Sequence, residues 1–161
     1  MAQPPNTSVS AVEQRLADLG LKLPEVAAPV AAYVPAVVSG NYVYTSGQLP
    51  FVDGKLPAAG KVGAAVSAEE AASLAGTCAV NALAAVKSVI GDLDRITRIV
   101  KVVGFVASEP GFTAQPAVVN GASELLGKAF GEAGAHARSA VGAAGLPFGV
   151  GVEVEAILEF A

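Results

Sequence analysis

The residues best suited to chemistry sit in two short stretches near the end of the chain. The first is His136-Ala-Arg-Ser-Ala-Val141, where Arg138 is the only fixed charge among small and apolar neighbours. The second is Val152-Glu-Val-Glu-Ala-Ile157, where Glu153 and Glu155 alternate with aliphatic residues. Both are rich in small and β-branched residues with a period of two, which predicts strands. Gly145-Leu-Pro-Phe-Gly149 between them is turn material. A strand sends alternate side chains to opposite faces, so the two carboxylates share one face and the aliphatic residues the other. An arginine fork is the preferred partner of a planar carboxylate. The two stretches together suggest a place to hold a small organic acid, with a carboxylate nearby to handle a proton.

Each of these residues has a structural alternative. Arg138 can equally close a buried ion pair with Glu155, since structural pairs perturb such groups as much as active sites do. Glu153 and Glu155 can line a subunit interface. His136 is expected at a rim rather than as a base, because neighbouring strand positions point to opposite faces. Ser139 is expected to face away from Arg138, which leaves a Ser–His mechanism unsupported. Cys78 falls on the apolar face of a helical stretch and is expected in the core. With one His and one Cys, a metal site built from those ligands alone is excluded, although an all-carboxylate site is not. The single Cys also excludes an intramolecular disulfide.

The elements that must position these residues follow from pattern and composition. A chain of 161 residues suggests one domain. Hydrophobic residues make up 53% and charged residues 15%, enough for a sizeable core and an apolar subunit interface. Mean hydropathy is high at +0.55, yet no apolar run is expected to reach the length of a membrane span. The net charge of −4 argues against nucleic acid, which needs a basic footprint. The N-terminus lacks a basic region followed by an apolar one, so no secretory signal is read and the cytoplasm is the default.

Residues 1–9 are polar and Pro-containing and are expected to be loose. Ser10 to Glu13 forms a capping box, predicting a short helix with Val12, Leu16 and Leu19 on its apolar side and Gly20 as its stop. Lys22 to Pro29 crosses to the main fold, kept extended by Pro24 and Pro29. Strands are predicted at Val34–Val38 and Tyr42–Ser46, joined by a Gly40-Asn41 turn. Ser46-Gly47-Gln48 ends the second strand, and Gly47 permits a bulge or the close approach of a ligand. Asp53-Gly54 marks a tight turn, and 55–66 is read as loop. A second capping box, Ser67 to Glu70, opens a helix with Leu74, Cys78, Ala82, Leu83, Val86 and Ile90 inward and Gly91 at its end. Arg98–Ala107 is expected as a central strand. A further helix spans about Ala117–Gly131, before the two strands already described. The fold class is α+β: a mixed sheet with two helices packed on one face, plus a short N-terminal helix. The domain boundaries are 1–29 for an N-terminal extension and 30–161 for the main domain. The other sheet face has no helices to cover it and is partly apolar, which predicts an oligomer.

Tyr33, Asn41-Tyr-Val-Tyr-Thr-Ser-Gly-Gln-Leu-Pro50, Ala137-Arg-Ser-Ala-Val141, Leu146-Pro147 and Val152-Glu-Val-Glu-Ala-Ile157 together resemble the reactive-intermediate deaminase (Rid) family. That family is also labelled YjgF-type or endoribonuclease L-PSP. The resemblance covers about residues 30–160; the N-terminal helix is similar to an extension carried by a subgroup. It implies a chorismate-mutase-like fold and a homotrimer with three clefts between subunits. It also implies hydrolysis of 2-imino or 2-enamino acids to 2-keto acids and ammonia, with no metal or cofactor.

By the same resemblance Arg138 grips the substrate carboxylate and Glu153 holds the attacking water. Ser46 and Gly47 match a strand end whose backbone reaches the ligand. Tyr33 matches an aromatic that closes the cleft, and Asn120 a cleft asparagine. Glu155 is then left a structural role. The sequence departs from many members at His136, where Pro is common, and at Ala140, where Cys is common. Two other functions compete with the deaminase: a keto-acid sensor that binds without turnover, and a ribonuclease or translation inhibitor. Glu153 favours catalysis over sensing, since a carboxylate sensor needs no acid beside its anion. The acidic balance disfavours the ribonuclease.

Overall fold

The computed structural model describes residues 9–26 and 31–161. The expectations for residues 1–8 and for Pro29 lie outside these. Helix α1 spans Ala11–Asp18. Strands β1 (Ala36–Ser39) and β2 (Tyr42–Thr45) form a hairpin. Gly40 at its turn takes a φ of +60°, a region that costs glycine nothing. Helix α2 spans Ala68–Ile90, followed by strand β3 (Ile96–Ala107), helix α3 (Gln115–Phe130), strand β4 (Ala137–Ala143) and strand β5 (Val152–Phe160). The expected order of elements is the observed one, with boundaries moved by a few residues at most.

The five strands form one mixed sheet in the order β1-β2-β5-β3-β4. Only β3 and β4 run parallel; the other neighbours are antiparallel. The α3 crossover between β3 and β4 explains this, because a parallel return needs a long connection. Strands β4 and β5 do not pair, despite the short turn between them. Strand β3 lies between the two and pairs with both.

Helices α2 and α3 cover one sheet face. Leu74, Cys78, Leu83 and Val86 of α2 pack with Val118, Val119, Ala122 and Leu126 of α3 over Val102, Val106, Val154 and Leu158. A Cβ on Gly121 would overlap the carbonyl of Ala72, so the two helices cross at backbone contact. Helix α2 is 23 residues long and, by length and composition alone, sufficient to cross a membrane. This corrects the expectation of no such run. Most of that stretch is buried against the sheet and α3, so the fold itself accounts for its apolarity. The segment read as loop also carries more structure than expected. Val62 bridges Ser108, and both Val62 and Val66 are fully buried.

Helix α1 docks at one end of this layer. Val12 and Leu16 join the core, Arg15 Nε donates to the Ala129 carbonyl at 2.6 Å, and Lys87 pairs with Glu13. Ser10 Oγ accepts from the Glu13 N–H at 3.4 Å, which is half of the expected capping box, and Asp94 rather than the Glu13 side chain completes the cap. Its Oδ1 accepts from Ser10 Oγ at 2.6 Å and from the N–H of Val12 at 2.9 Å, and its Oδ2 from the N–H of Ala11 at 2.8 Å. Among the described residues no helix covers the opposite sheet face. Val37, Tyr44 and Val141 are exposed on it, with Phe105 and Ile157 half-buried beside them.

Candidate functional site

Arg138 lies on β4, paired with Val102 of β3. Val102 is buried under the helices, so Arg138 projects to the helix side, at the sheet edge beside α3. Its Nη1 donates to Asn120 Oδ1 at 2.7 Å and to Ser123 Oγ at 3.2 Å. Residues 120 and 123 share one face of α3, as their spacing of three requires. The guanidinium Nε and Nη2 have no partner among the described residues, and no carboxylate lies in ion-pair reach of Arg138. The alternative in which Arg138 pairs with Glu155 is therefore overturned. Beside Arg138 is an open depression of about 430 Å³ lined by Ser123, Gly127, Gly131, Gly134 and His136. The glycines there put no side chains into the space.

His136 is half-buried at the rim of that depression, as expected, and lies two positions from Arg138, on the same side. The His136 ring contacts Ser123 Oγ through Nε2 at 2.9 Å and the Gly134 carbonyl through Nδ1 at 2.7 Å. Ser123 therefore links Arg138 to His136. Sequence reading missed Ser123, although its place three residues after Asn120 was a signal.

Glu153 lies on β5, paired with Phe105 of β3, which pairs in turn with Val141 of β4. Its carboxylate rests against the backbone of Gly47, where a Cβ would overlap Oε1. Burial raises the pKa of Glu153 above the ordinary carboxylate value, and the charge of Glu155 adds to the rise. Gln48 continues the sheet past β2, exchanging backbone hydrogen bonds with Val154 at 2.8 and 3.1 Å. The Gly47 N–H has no partner among the described residues, so a donor stands open beside Glu153.

Ser46 does not offer the same. Its N–H donates to the Pro35 carbonyl at 2.8 Å, its hydroxyl donates to the Val34 carbonyl at 2.6 Å, and its carbonyl accepts from Gln48 Nε2 at 3.1 Å. Ser46 thereby ties down the segment that carries Tyr33. Tyr33 is exposed, one residue before that anchor. Cys78 is fully buried with Sγ 3.8 Å from the Val152 carbonyl. Burial, with Glu153 nearby, pushes its thiol well up, which keeps it protonated and inert. Among the described residues no cluster of three or more His, Cys, Asp or Glu is arranged to hold a metal.

Two groups of residues result: Asn120, Ser123, His136 and Arg138 in one, and Gly47 with Glu153 in the other, Ser46 adjoining the second along the chain and Tyr33 standing exposed beyond it. The cross-strand row of Arg138 runs through Val102 to Ala156, and that of Glu153 through Phe105 to Val141. The two rows meet β3 three residues apart, an odd number, so the two side chains leave opposite faces of the sheet. Within one chain Arg138 and Glu153 are therefore not neighbours, because β3 lies between β4 and β5.

The chain matches, over residues 13–155, the protein family described as "YjgF/chorismate mutase-like, putative endoribonuclease". It is 46% identical over 149 residues to Protein TCP17 of Trypanosoma cruzi, covering 92% of this chain and 93% of that protein. Among solved structures, the protein Atu1372 of Agrobacterium tumefaciens, of unknown function, is 50% identical with a TM-score of 0.88. That alignment covers 94% of this chain and 93% of the other. TdcF of E. coli, solved with bound serine, is 27% identical with a TM-score of 0.58, over 83% of this chain and 91% of its own.

Proposed function

The chain belongs to the YjgF/chorismate mutase-like family, and from that premise we propose that it hydrolyses small 2-imino or 2-enamino acids to 2-keto acids and ammonia. One observation carries the reading. Arg138 is pinned at Nη1 by Asn120 and Ser123, has no acidic partner among the described residues, and keeps its Nε and Nη2 edge open. A guanidinium held in that way suits a ligand carboxylate received side-on. The serine bound to TdcF is also a small molecule with a carboxylate, which supports the ligand class.

The chemistry asks little more of the protein. An imine carbon is electrophilic, more so once its nitrogen is protonated. Arg138 orients the substrate, and Glu153, with its raised pKa, takes a proton from the attacking water. The new C–O bond gives a tetrahedral adduct. Proton transfer to its nitrogen and rupture of the C–N bond release ammonia and leave the keto acid. No metal or organic cofactor enters this sequence.

Because Arg138 and Glu153 leave opposite faces, a substrate held by both needs two copies of the chain. The exposed apolar sheet face supplies a surface for association. The proposed assembly is a homotrimer with a cleft between each pair of subunits, working in the cytoplasm. Generating 2-iminopropanoate in situ from an amino acid and following its decay tests the reading. The expected result is faster decay with the protein and loss of that gain in Arg138→Ala. Keto-acid binding through Arg138 without acceleration would identify a sensor instead. The sequence pI of about 4.9 weighs against a ribonuclease.

A further inference from the structure

With the His136 ring neutral, the bonds around Arg138 run with one polarity. A guanidinium only donates and a backbone carbonyl only accepts. The Gly134 carbonyl, 2.7 Å from His136 Nδ1, therefore requires the proton on Nδ1. Nε2 of the neutral ring is then an acceptor, and the Ser123 hydroxyl donates to it across 2.9 Å. The Ser123 oxygen is left with lone pairs and accepts from Arg138 Nη1. With Asn120 Oδ1 as second acceptor, both protons of Nη1 are used. The chain Arg138, Ser123, His136, Gly134 runs in one direction, and each donor in it has one acceptor.

We propose that Ser123 and His136 are positioning residues for Arg138: the neutral Nδ1–H tautomer of His136 orients the Ser123 hydroxyl, and Ser123 with Asn120 holds the guanidinium in one plane with its Nε/Nη2 edge toward the ligand. The inference rests on the proposed role of Arg138 as carboxylate clamp. It gives His136 a function that its place just before β4 alone did not suggest. An arginine without such a brace must lose rotamer freedom when it binds, which weakens binding without touching the chemical step.

The test combines one spectroscopic and one functional readout. His136 is the only histidine, so a long-range ¹H–¹⁵N spectrum contains one imidazole. The expected signal is the Nδ1–H tautomer in the wild type and in Ser123→Ala, with the Nε2 resonance of the variant displaced by loss of its hydrogen bond. A wild-type Nε2–H tautomer would overturn the proposal whatever the activity. In calorimetry with 2-oxobutyrate, Ser123→Ala and His136→Ala are expected to weaken binding about 5- to 10-fold, and KM of imine hydrolysis to rise alike while kcat changes less than about twofold. His136→Gln, whose side-chain oxygen can accept from Ser123, is expected to stay within about twofold of wild type. The double variant Ser123→Ala/His136→Ala should bind no more weakly than Ser123→Ala, since both lie on one chain of bonds.

Wild-type affinity in His136→Ala, failure of glutamine to rescue, or additive losses would each overturn the proposal. Arg138→Ala separates the two claims. If it abolishes keto-acid binding, the clamp stands and these variants decide the brace; if it binds like wild type, the clamp fails and the brace with it.

Discussion

Oε1 of Glu153 occupies the space that a Cβ on Gly47 would need. The backbone at Gly47 is outside the left-handed region, so alanine there strains nothing in the chain itself. The cost of Gly47→Ala falls on the flexible end of the Glu153 side chain, which must turn away. Imine hydrolysis is expected to drop about 10-fold or more, since a misplaced base loses most of its advantage. The melting temperature should move by no more than about 2 °C, the scale of a surface change. An activity assay and a thermal melt on the same preparation check both halves.

Removing the proton acceptor itself gives a larger effect. Glu153→Gln keeps the shape and is expected to lower hydrolysis about 10²-fold, the usual weight of a general base. Keto-acid binding should change far less, because Arg138 is untouched. In Glu155→Gln the rate is expected to fall less than in Glu153→Gln. Full activity in Glu153→Gln with none in Glu155→Gln would show that the wrong carboxylate had been assigned.

The raised pKa of Glu153 gives a pH signature with a definite sign. The wild-type rate should rise with pH through a midpoint above the ordinary carboxylate range. Glu155→Gln should move that midpoint down, since it removes a like charge. For stability, the folded state holds the proton more tightly than the unfolded chain. Its contribution is present below the unfolded pKa of about 4.3 and is lost as pH rises through the folded value. Glu153→Gln should therefore melt higher than wild type at pH 7, with the gap closing as pH falls through that window.

Arg138→Lys keeps the charge and loses the planar fork. Binding of pyruvate or 2-oxobutyrate is expected to weaken by about 1.5–3 kcal/mol, the scale of a charge-assisted hydrogen bond. Calorimetry reads this directly, and unchanged affinity would assign Arg138 a structural role.

The opposite-face placement of Arg138 and Glu153 predicts complementation between subunits. Arg138→Ala and Glu153→Gln chains are each expected to be nearly inactive alone. Unfolded together and refolded as mixed trimers at equal ratio, they should recover about a quarter of wild-type activity, because a cleft drawing each residue from a different subunit is intact with that chance. Light scattering should give a trimer mass. No recovery in a mixed trimer would place both residues in one chain's site, and a clean monomer would remove the cleft.

Asp94 tests the docking of α1. Burial pushes its pKa up, but the hydrogen bonds from Ser10, Val12 and Ala11, with Arg15 nearby, outweigh that and hold it below the usual range. Asp94→Ala is expected to cost about 1 kcal/mol, comparable to loss of a helix cap, and to speed amide exchange in residues 11–18 selectively. The contribution of Asp94 is present above its unfolded pKa and lost as pH falls through the folded one.

Much of the fold was legible because local signals agreed. The Ser10 and Ser67 capping boxes, the stop at Gly91, the Gly40-Asn41 turn and the β-branched run into Ala107 each carry their own physical instruction. The residue types of the candidate site were legible too: an arginine isolated among small residues and an alternating pair of glutamates. Less was legible where a role depends on partners far along the chain. The Ser46 backbone is used up by Pro35 and Gln48 and its hydroxyl by Val34, and Ser123 becomes a bridge only when α3 lies beside β4.

By itself the sequence determined which side chains share a face within each strand and helix, because those periods are properties of the backbone. Only the tertiary structure decided which strands are neighbours. The α3 crossover makes β4 return parallel to β3, and β5 then pairs on the other side of β3. That order separates Arg138 from Glu153 by one strand and one sheet face, whatever the spacing of 15 residues between them suggests. Pairing is settled by burial of the Val102, Val154 and Leu158 face under α2 and α3, a sum over the whole core that no short stretch contains.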